Sequence, residues 1–219
     1  MTYNKWNFRS IIYLVSLASL FFSAGVSAEV IFRDDFTGSS VRPEWEIVGE
    51  DPDRITLDGE HFLLLTTTES RGLCYKGGLP QEYSIESKII SPPQDGTTVG
   101  LYLIESQENS VKLEFYQKSI FRRTYTVRFA KSLKGKESEY QEDVSFTEAE
   151  WPPEKNLLRI NKSGIDYRGY FKIEGKAGQV GREQVFLNFT EKKVCLLARN
   201  HQDGVPEVPV KFDYFEITK

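Results

Sequence analysis

The stretch Val111-Lys-Leu-Glu-Phe-Tyr116 decides how this chain folds. Apolar and polar residues alternate in it with a period of two, which indicates a β-strand that is buried on one side only. The first, third and fifth residues are therefore predicted to face the core. The opposite face is predicted to carry Lys112, Glu114 and Tyr116.

The same alternation recurs through most of the chain, for example in Val99–Ile104 and Tyr125–Phe129. Turn sequences such as Asp58-Gly59 and Lys162-Ser163-Gly164 separate the short strands. Many short strands joined by such turns predict an all-β fold, an antiparallel two-sheet jelly-roll sandwich. The glycine-rich segment Gly175–Glu183 is predicted to form a long loop.

The N-terminal segment has the features of a secretory signal peptide. Lys5 and Arg9 precede an apolar run of 12 residues, Ile11–Phe22, and Val26-Ser27-Ala28 offers a small-residue cleavage site. The apolar run is short for a bilayer span, and an uncleaved membrane anchor is the alternative. We predict that residues 1–28 are removed and that the protein is exported to the periplasm or the medium.

Composition sets the class of the mature chain, residues 29–219, which we predict to be one β-sandwich domain. Loss of Lys5 and Arg9 changes the net charge from −4 to −6, because the segment holds no acid. A negative balance disfavours nucleic acids and anionic membranes as partners. No later apolar run is long enough to span a membrane.

Two cysteines remain in the mature chain, Cys74 and Cys195. Export permits a disulfide between them, which across so long a loop would stabilise the fold by about 4–5 kcal/mol in the chain-entropy model. Two buried free thiols in adjacent strands are the alternative. Sequence spacing does not give their proximity, so both alternatives stay open at this point.

Acids flanked by aromatic residues stand at both ends of the mature chain, in Phe32-Arg-Asp-Asp-Phe36 and Phe212-Asp-Tyr-Phe215. At strand spacing these two motifs predict first and last strands that pair and close one domain. Strict alternation would place Phe212 and Tyr214 on one face of the last strand, and Asp213 and Phe215 on the other.

Several short motifs, taken in order, resemble concanavalin A-like jelly-roll domains. The pattern is most similar to the C-terminal β-sandwich of family 43 β-xylosidases, and it covers nearly the whole mature chain. One departure is Glu174-Gly-Lys-Ala-Gly178, where the family often has a D-G-x-x-W stretch. The motifs that carry the resemblance are Asp34-Asp-Phe-Thr-Gly38, Pro43-Glu-Trp45, Leu57–Leu64, Val99-Gly-Leu-Tyr102, Leu158-Arg-Ile160, Tyr170-Phe171 and Val210–Phe215.

The resemblance implies a structural calcium ion where the first and last strands meet. Asp35 and Asp213 would supply carboxylates, and the backbone near Gly59 would add carbonyl oxygens. Calcium prefers such mixed oxygen ligands, and the ion would hold the two chain ends together.

The resemblance also implies a carbohydrate ligand, because jelly-roll lectins bind sugars on a sheet face or at loop tips. Aromatic rings offer apolar faces to the C–H groups of a sugar, and charged side chains hydrogen-bond its hydroxyls. The candidate ligand-binding residues are Tyr102, Glu114, Tyr116, Arg123, Arg159 and Trp151.

Catalytic motifs are weak in this sequence. A retaining glycosidase needs two carboxylates on one face, and Glu148-Ala-Glu150 lacks the central Asp of the family 16 pattern. His61 and His201 do not match the lyases of this fold. We therefore predict an exported, non-catalytic carbohydrate-binding domain that takes oligo- or polysaccharides. The alternatives are a diverged glycoside hydrolase or polysaccharide lyase, and an envelope protein-interaction module.

Overall fold

A computed structural model gives the architecture of the chain from residue 28 onward. It describes residues 28–49, 52–66, 70–90, 93–94, 96–119, 121–148, 150, 156–184, 189–200 and 207–219. The predicted signal peptide, except for Ala28, lies outside the described residues, as do Trp151 and His201.

The described residues form β-strands and one short 3₁₀ turn, Pro52–Arg54. No helix in this part of the chain has the length and apolar character needed to cross a membrane. The strands are β1 Val30–Asp34, β2 Trp45–Val48, β3 Ile55–Leu57, β4 Phe62–Leu65, β5 Arg71–Tyr75, β6 Tyr83–Ile89, β7 Thr97–Ile104, β8 Ser110–Ser119, β9 Thr124–Leu133, β10 Lys136–Ser145, β11 Asn156–Ser163, β12 Asp166–Ile173, β13 Lys176–Gln184, β14 Lys193–Asn200 and β15 Pro209–Thr218.

The strands are arranged in two sheets. The back sheet has the order β13-β12-β11-β6-β15-β4-β3, with β1 also paired to β15, and the front sheet has the order β10-β9-β8-β7-β14-β5-β2. The strand pairs in both sheets are antiparallel. The predicted all-β, antiparallel two-sheet jelly-roll sandwich is therefore confirmed.

The core lies between the two sheets and is built from alternate residues of each strand. Val111, Leu113 and Phe115 are fully buried, as the alternation in β8 predicts. The hairpin predicted at Asp58-Gly59 is also present, because β3 and β4 pair across it. Burial of these alternate residues leaves the other half of each strand to face outward.

The first and last strands pair, as the two acid–aromatic motifs predict. Asp34 of β1 lies opposite Phe215 of β15. The buried Asp34 carboxylate accepts hydrogen bonds from the indole Nε1 of Trp45 at 2.7 Å and from the backbone nitrogen of Phe36 at 2.9 Å. The Trp45 ring also packs edge-on against Phe32 and Phe215. Asp34 is therefore a structural acceptor that ties β1 to the core.

The side-chain directions predicted for the last strand are wrong. The pairing of β15 with β6 shifts register between Phe212 and Tyr214, which is a β-bulge. Phe212 and Phe215 are both fully buried as a result. The extra residue, Asp213, turns outward and pairs with Lys88 at 2.6 Å.

The prediction of a long loop at Gly175–Glu183 is also wrong, because this segment is strand β13, paired with β12. Its glycines serve close packing. A β-carbon at Gly181 would lie 2.9 Å from the ring of Phe129 and 2.8 Å from that of Tyr140. Composition alone suggested a flexible segment, whereas the aromatic neighbours require small residues there.

Candidate ligand-binding face

The outward surface of the front sheet, here called the front face, carries the candidate site. Because Leu101 and Leu113 point into the core, the residues beside them in β7 and β8 point outward. Strand register arranges these outward residues in rows across β14, β7, β8 and β9. The rows are Cys195, Tyr102, Lys112 and Ala130; Leu197, Gly100, Glu114 and Arg128; and Arg199, Thr98, Tyr116 and Thr126.

Side chains on the front face are buried to a degree that is unusual for an outward surface. Glu114 is 0% exposed, Leu197 4% and Tyr102 8%. Gly100 contributes to this, since a β-carbon there would lie 2.2 Å from the carbonyl oxygen of Leu113, so β7 and β8 approach closely only with glycine. The front face is therefore a packed polar layer, unlike an ordinary solvated sheet surface.

The centre of this layer is the carboxylate of Glu114. Arg128 donates to it from Nε at 3.0 Å and also from Nη2, and the hydroxyl of Tyr102 donates to its second oxygen. Arg128 Nη1 also reaches Glu139 at 3.1 Å and Glu137 at 3.3 Å. One guanidinium group thus holds three carboxylates, one from β8 and two from β10, in a fixed relation.

The charges around Glu114 keep it ionised. Burial pushes its pKa upward, but the positive charges of Arg128 and Lys112, with the hydrogen bonds from Tyr102 and Arg128, outweigh burial and hold the pKa below its usual value. Burial and the adjacent Glu114 raise the pKa of the Tyr102 phenol. The cluster is therefore suited to fixed hydrogen bonding, because a general acid would need a carboxyl with a raised pKa.

Tyr116 lies in the row next to this cluster. Its side chain is partly buried, and it stands between Thr98 and Thr126 across the sheet. Leu197 and Gly100 occupy the neighbouring row, so an aromatic ring borders a small apolar floor. Tyr102, Glu114 and Tyr116 share one face, as predicted.

Of the other predicted ligand-binding residues, Arg159 and Arg123 do not join them. Arg159 lies on the outward surface of the back sheet, where its Nε contacts Glu86 at 2.6 Å, so grouping it with Tyr102 was wrong. Arg123 lies in the turn between β8 and β9, with its guanidinium 3.6 Å from Glu148. Trp151 lies outside the described residues.

One arginine of the front face, Arg199, was missed among the predicted site residues. A signal for it was present in the sequence, because alternation in Lys193–Asn200 places it outward once Ala198 is assigned to the core. The alternation of apolar and polar residues does not give the order of strands in the sheet. That order decides whether two outward residues lie next to each other.

The carboxylates predicted to bind calcium have cationic partners in the structure. Asp35 pairs with Arg33 at 2.7 Å, and Asp213 pairs with Lys88. Gly59 lies in the β3–β4 turn. No group of three or more His, Cys, Asp or Glu residues that would hold a metal occurs among the described residues. As arranged, both carboxylates are engaged by cationic side chains, and the calcium ion stays a prediction.

Cys74 and Cys195 are joined by a disulfide in the structure. They lie directly opposite each other on β5 and β14, and their side chains are 2% and 0% exposed. Cys195 is also the direct neighbour of Tyr102 on β7. The disulfide is therefore part of the front face and joins two strands beside the Glu114 cluster.

Comparisons with known proteins identify the fold. No family model and no curated protein matches the chain. A xylan β-1,4-xylosidase from Bacillus halodurans C-125 is similar in structure, with 18% identity and a TM-score of 0.68 over 85% of this chain and 39% of that one. The chain thus spans about two fifths of the length of that enzyme.

Two glucanases are similar over almost their whole length. A non-specific endo-β-1,3(4)-glucanase of family GH16 shares 11% identity at a TM-score of 0.62, over 88% of this chain and 91% of that one. A β-glucanase from Bacillus licheniformis also shares 11%, at a TM-score of 0.63, over 86% of this chain and 97% of that one. At such low identities these likenesses show the fold alone.

Proposed function

Because the chain has a concanavalin A-like jelly-roll fold, we propose that it is an exported carbohydrate-binding domain whose site is the front face. The observation that carries this proposal is the fully buried, ionised Glu114 on an outward sheet surface. An ordinary solvated face has no need to hold a carboxylate and a guanidinium in a fixed geometry.

The chemistry of the front face suits a sugar. Sugar hydroxyls need polar groups at fixed positions, and the buried Glu114 holds the partly exposed guanidinium of Arg128 in place at this surface. Sugar C–H groups need a flat apolar surface, which the partly exposed ring of Tyr116 can provide. The combination favours a polysaccharide over a purely apolar partner.

Binding is favoured over hydrolysis at this face. A hydrolase needs one carboxyl with a raised pKa to protonate the leaving oxygen. Glu114 has a lowered pKa, and Arg128 also engages Glu137 and Glu139. The similar solved structures are named as a xylosidase and as glucanases, so xylan and mixed-linkage β-glucan are the first ligands to try.

The disulfide supports the proposed export. A bond between Cys74 and Cys195 persists in oxidising compartments and is rare in the cytosol. The predicted signal peptide also favours export.

Replacing Tyr116 by alanine is expected to weaken binding of xylan or β-glucan oligosaccharides roughly tenfold, a loss of about 1.4 kcal/mol, because the apolar platform is removed. Titration calorimetry on hits from a glycan array measures the change. Tyr170→Ala, a matched change on the back sheet, should leave affinity unaltered. A wild-type protein that binds no glycan would instead favour the protein-interaction alternative.

We also propose, on the resemblance alone, a structural calcium ion held by Asp35, Asp213 and the backbone near Gly59. A chelator should then lower the melting temperature of the wild type, and Asp213→Ala should abolish that response. Without calcium, Asp213→Ala removes only a half-exposed pair with Lys88, at a cost of about 1 kcal/mol or less. An identical melting temperature with and without chelator would refute the ion.

A further inference from the structure

Among the residues that the structure describes, the charges on the front face are paired, with one exception. Arg128 is held by three carboxylates. The lysines of the face also have carboxylate partners, each within hydrogen-bonding distance. These pairs are Lys112 with Glu137, Lys118 with Asp143, and Lys193 with Glu46.

Arg199 is the exception. It is the last outward residue of β14, opposite Thr98 of β7. Its side chain is partly buried, and its Nε is buried without a hydrogen-bond partner. It forms no hydrogen bond or ion pair with the part of the chain that the structure describes. A buried donor without an acceptor costs free energy, so its presence needs a reason.

The surroundings of Arg199 belong to the proposed sugar site. Leu197 precedes it on the same face, and Tyr116 lies in the same row, across Thr98. The charge of Arg199 also acts on the phenol of Tyr102 and opposes the rise of its pKa. A guanidinium therefore stands at the edge of an aromatic and apolar floor, beside a polar network that is already complete.

We propose that the ligand of the front face is an acidic polysaccharide and that Arg199 binds its anionic group, a uronate carboxylate or a sulfate ester. This inference rests on the proposed function. A guanidinium presents a planar fork of donors that matches two oxygens of either anion. The mature chain is acidic overall, so attraction for such a ligand must be local.

The arginines of the back sheet do not offer the same opportunity. Arg33 is paired with Asp35 and Glu216, and Arg159 with Glu86. An anionic sugar would have to displace a carboxylate there, whereas no carboxylate of the described residues is paired with Arg199. We therefore assign the preference for charged over neutral glycans to Arg199, at the C-terminal end of β14.

The test compares glycans that share a backbone and differ in charge. The probes are polygalacturonate and its methyl-esterified form for the carboxylate, and a sulfated galactan and its desulfated form for the sulfate. The wild type is expected to bind the charged member of one pair at least roughly tenfold tighter, with a preference that falls as salt is added. Arg199→Gln should remove this preference, and Arg199→Lys should keep part of it.

Arg182→Gln is the matched control, because Arg182 lies on β13 and pairs with Asp166 away from the front face. Melting curves of both variants confirm that each remains folded. If Arg199→Gln keeps the full preference, or if charged and neutral glycans bind alike, the inference is overturned. The proposed function would still hold in that case if the protein binds neutral glycans and Tyr116→Ala weakens that binding. A protein that binds none of these glycans overturns both.

Discussion

Replacement of Arg128 by methionine is expected to lower the free energy of unfolding by about 3–5 kcal/mol. Arg128 holds Glu114, which is 0% exposed, and it also pairs with Glu137 and Glu139. Without the guanidinium, a buried carboxylate keeps only the hydroxyl of Tyr102 and the more distant charge of Lys112. Chemical denaturation at neutral pH measures the loss.

The pH dependence of that loss identifies its cause. In the wild type the pKa of Glu114 is below its usual value of 4.5, so its contribution is complete above that pH and falls as the pH drops below it. In Arg128→Met, burial dominates and raises the pKa of Glu114, so acidification neutralises the charge and relieves the penalty. The stability gap between the two proteins should therefore narrow from about pH 7 to about pH 4.

Two further variants separate the buried pair from general effects. Arg182→Met removes a half-exposed pair with Asp166 and should cost about 1 kcal/mol or less. The double variant Arg128→Met with Glu114→Met removes both charges and should recover most of the stability. A single Arg128→Met variant that is as stable as Arg182→Met would show that Glu114 is not buried as an ion.

Local pattern was sufficient to predict most of the fold. Period-two alternation assigned Leu113 and Phe115 to the core because one-sided burial is a property of each strand by itself. The bulge at Asp213 was missed because it adds one residue without changing the local pattern, and it depends on pairing with β6. Strand β13 was missed because its small residues are required by rings from β9 and β10 rather than by its own sequence.

The candidate site was predictable only in part, for a related reason. Tyr102, Glu114 and Tyr116 share a face because β7 and β8 are neighbours in sequence as well as in space. Arg159 was misplaced because β11 pairs with β6 in the other sheet, which no short motif encodes. Arg199 was overlooked because its lack of a charged partner among the described residues becomes visible only when its neighbours are known.

Loss of the disulfide is the other large effect expected. Cys74 and Cys195 are 121 residues apart, and a bond across such a loop restricts the unfolded chain strongly. The double variant Cys74→Ala with Cys195→Ala should lose about 4–5 kcal/mol in the chain-entropy model. For a domain of this size that corresponds to a melting temperature lower by roughly 8–20 °C, measurable by calorimetry.

The burial of the disulfide leads to a further expectation about its reduction. Because both cysteines are almost fully buried on adjacent strands, a reductant should leave the native protein intact and act only when it unfolds. Unreduced intact-mass measurement should show two hydrogens missing, and each single cysteine variant should lose as much stability as the double variant. Two free thiols in the native wild type would contradict the bond. The front face would then lose the covalent tie between β5 and β14 and, with it, one reason for the rigidity of the strand that carries Leu197 and Arg199.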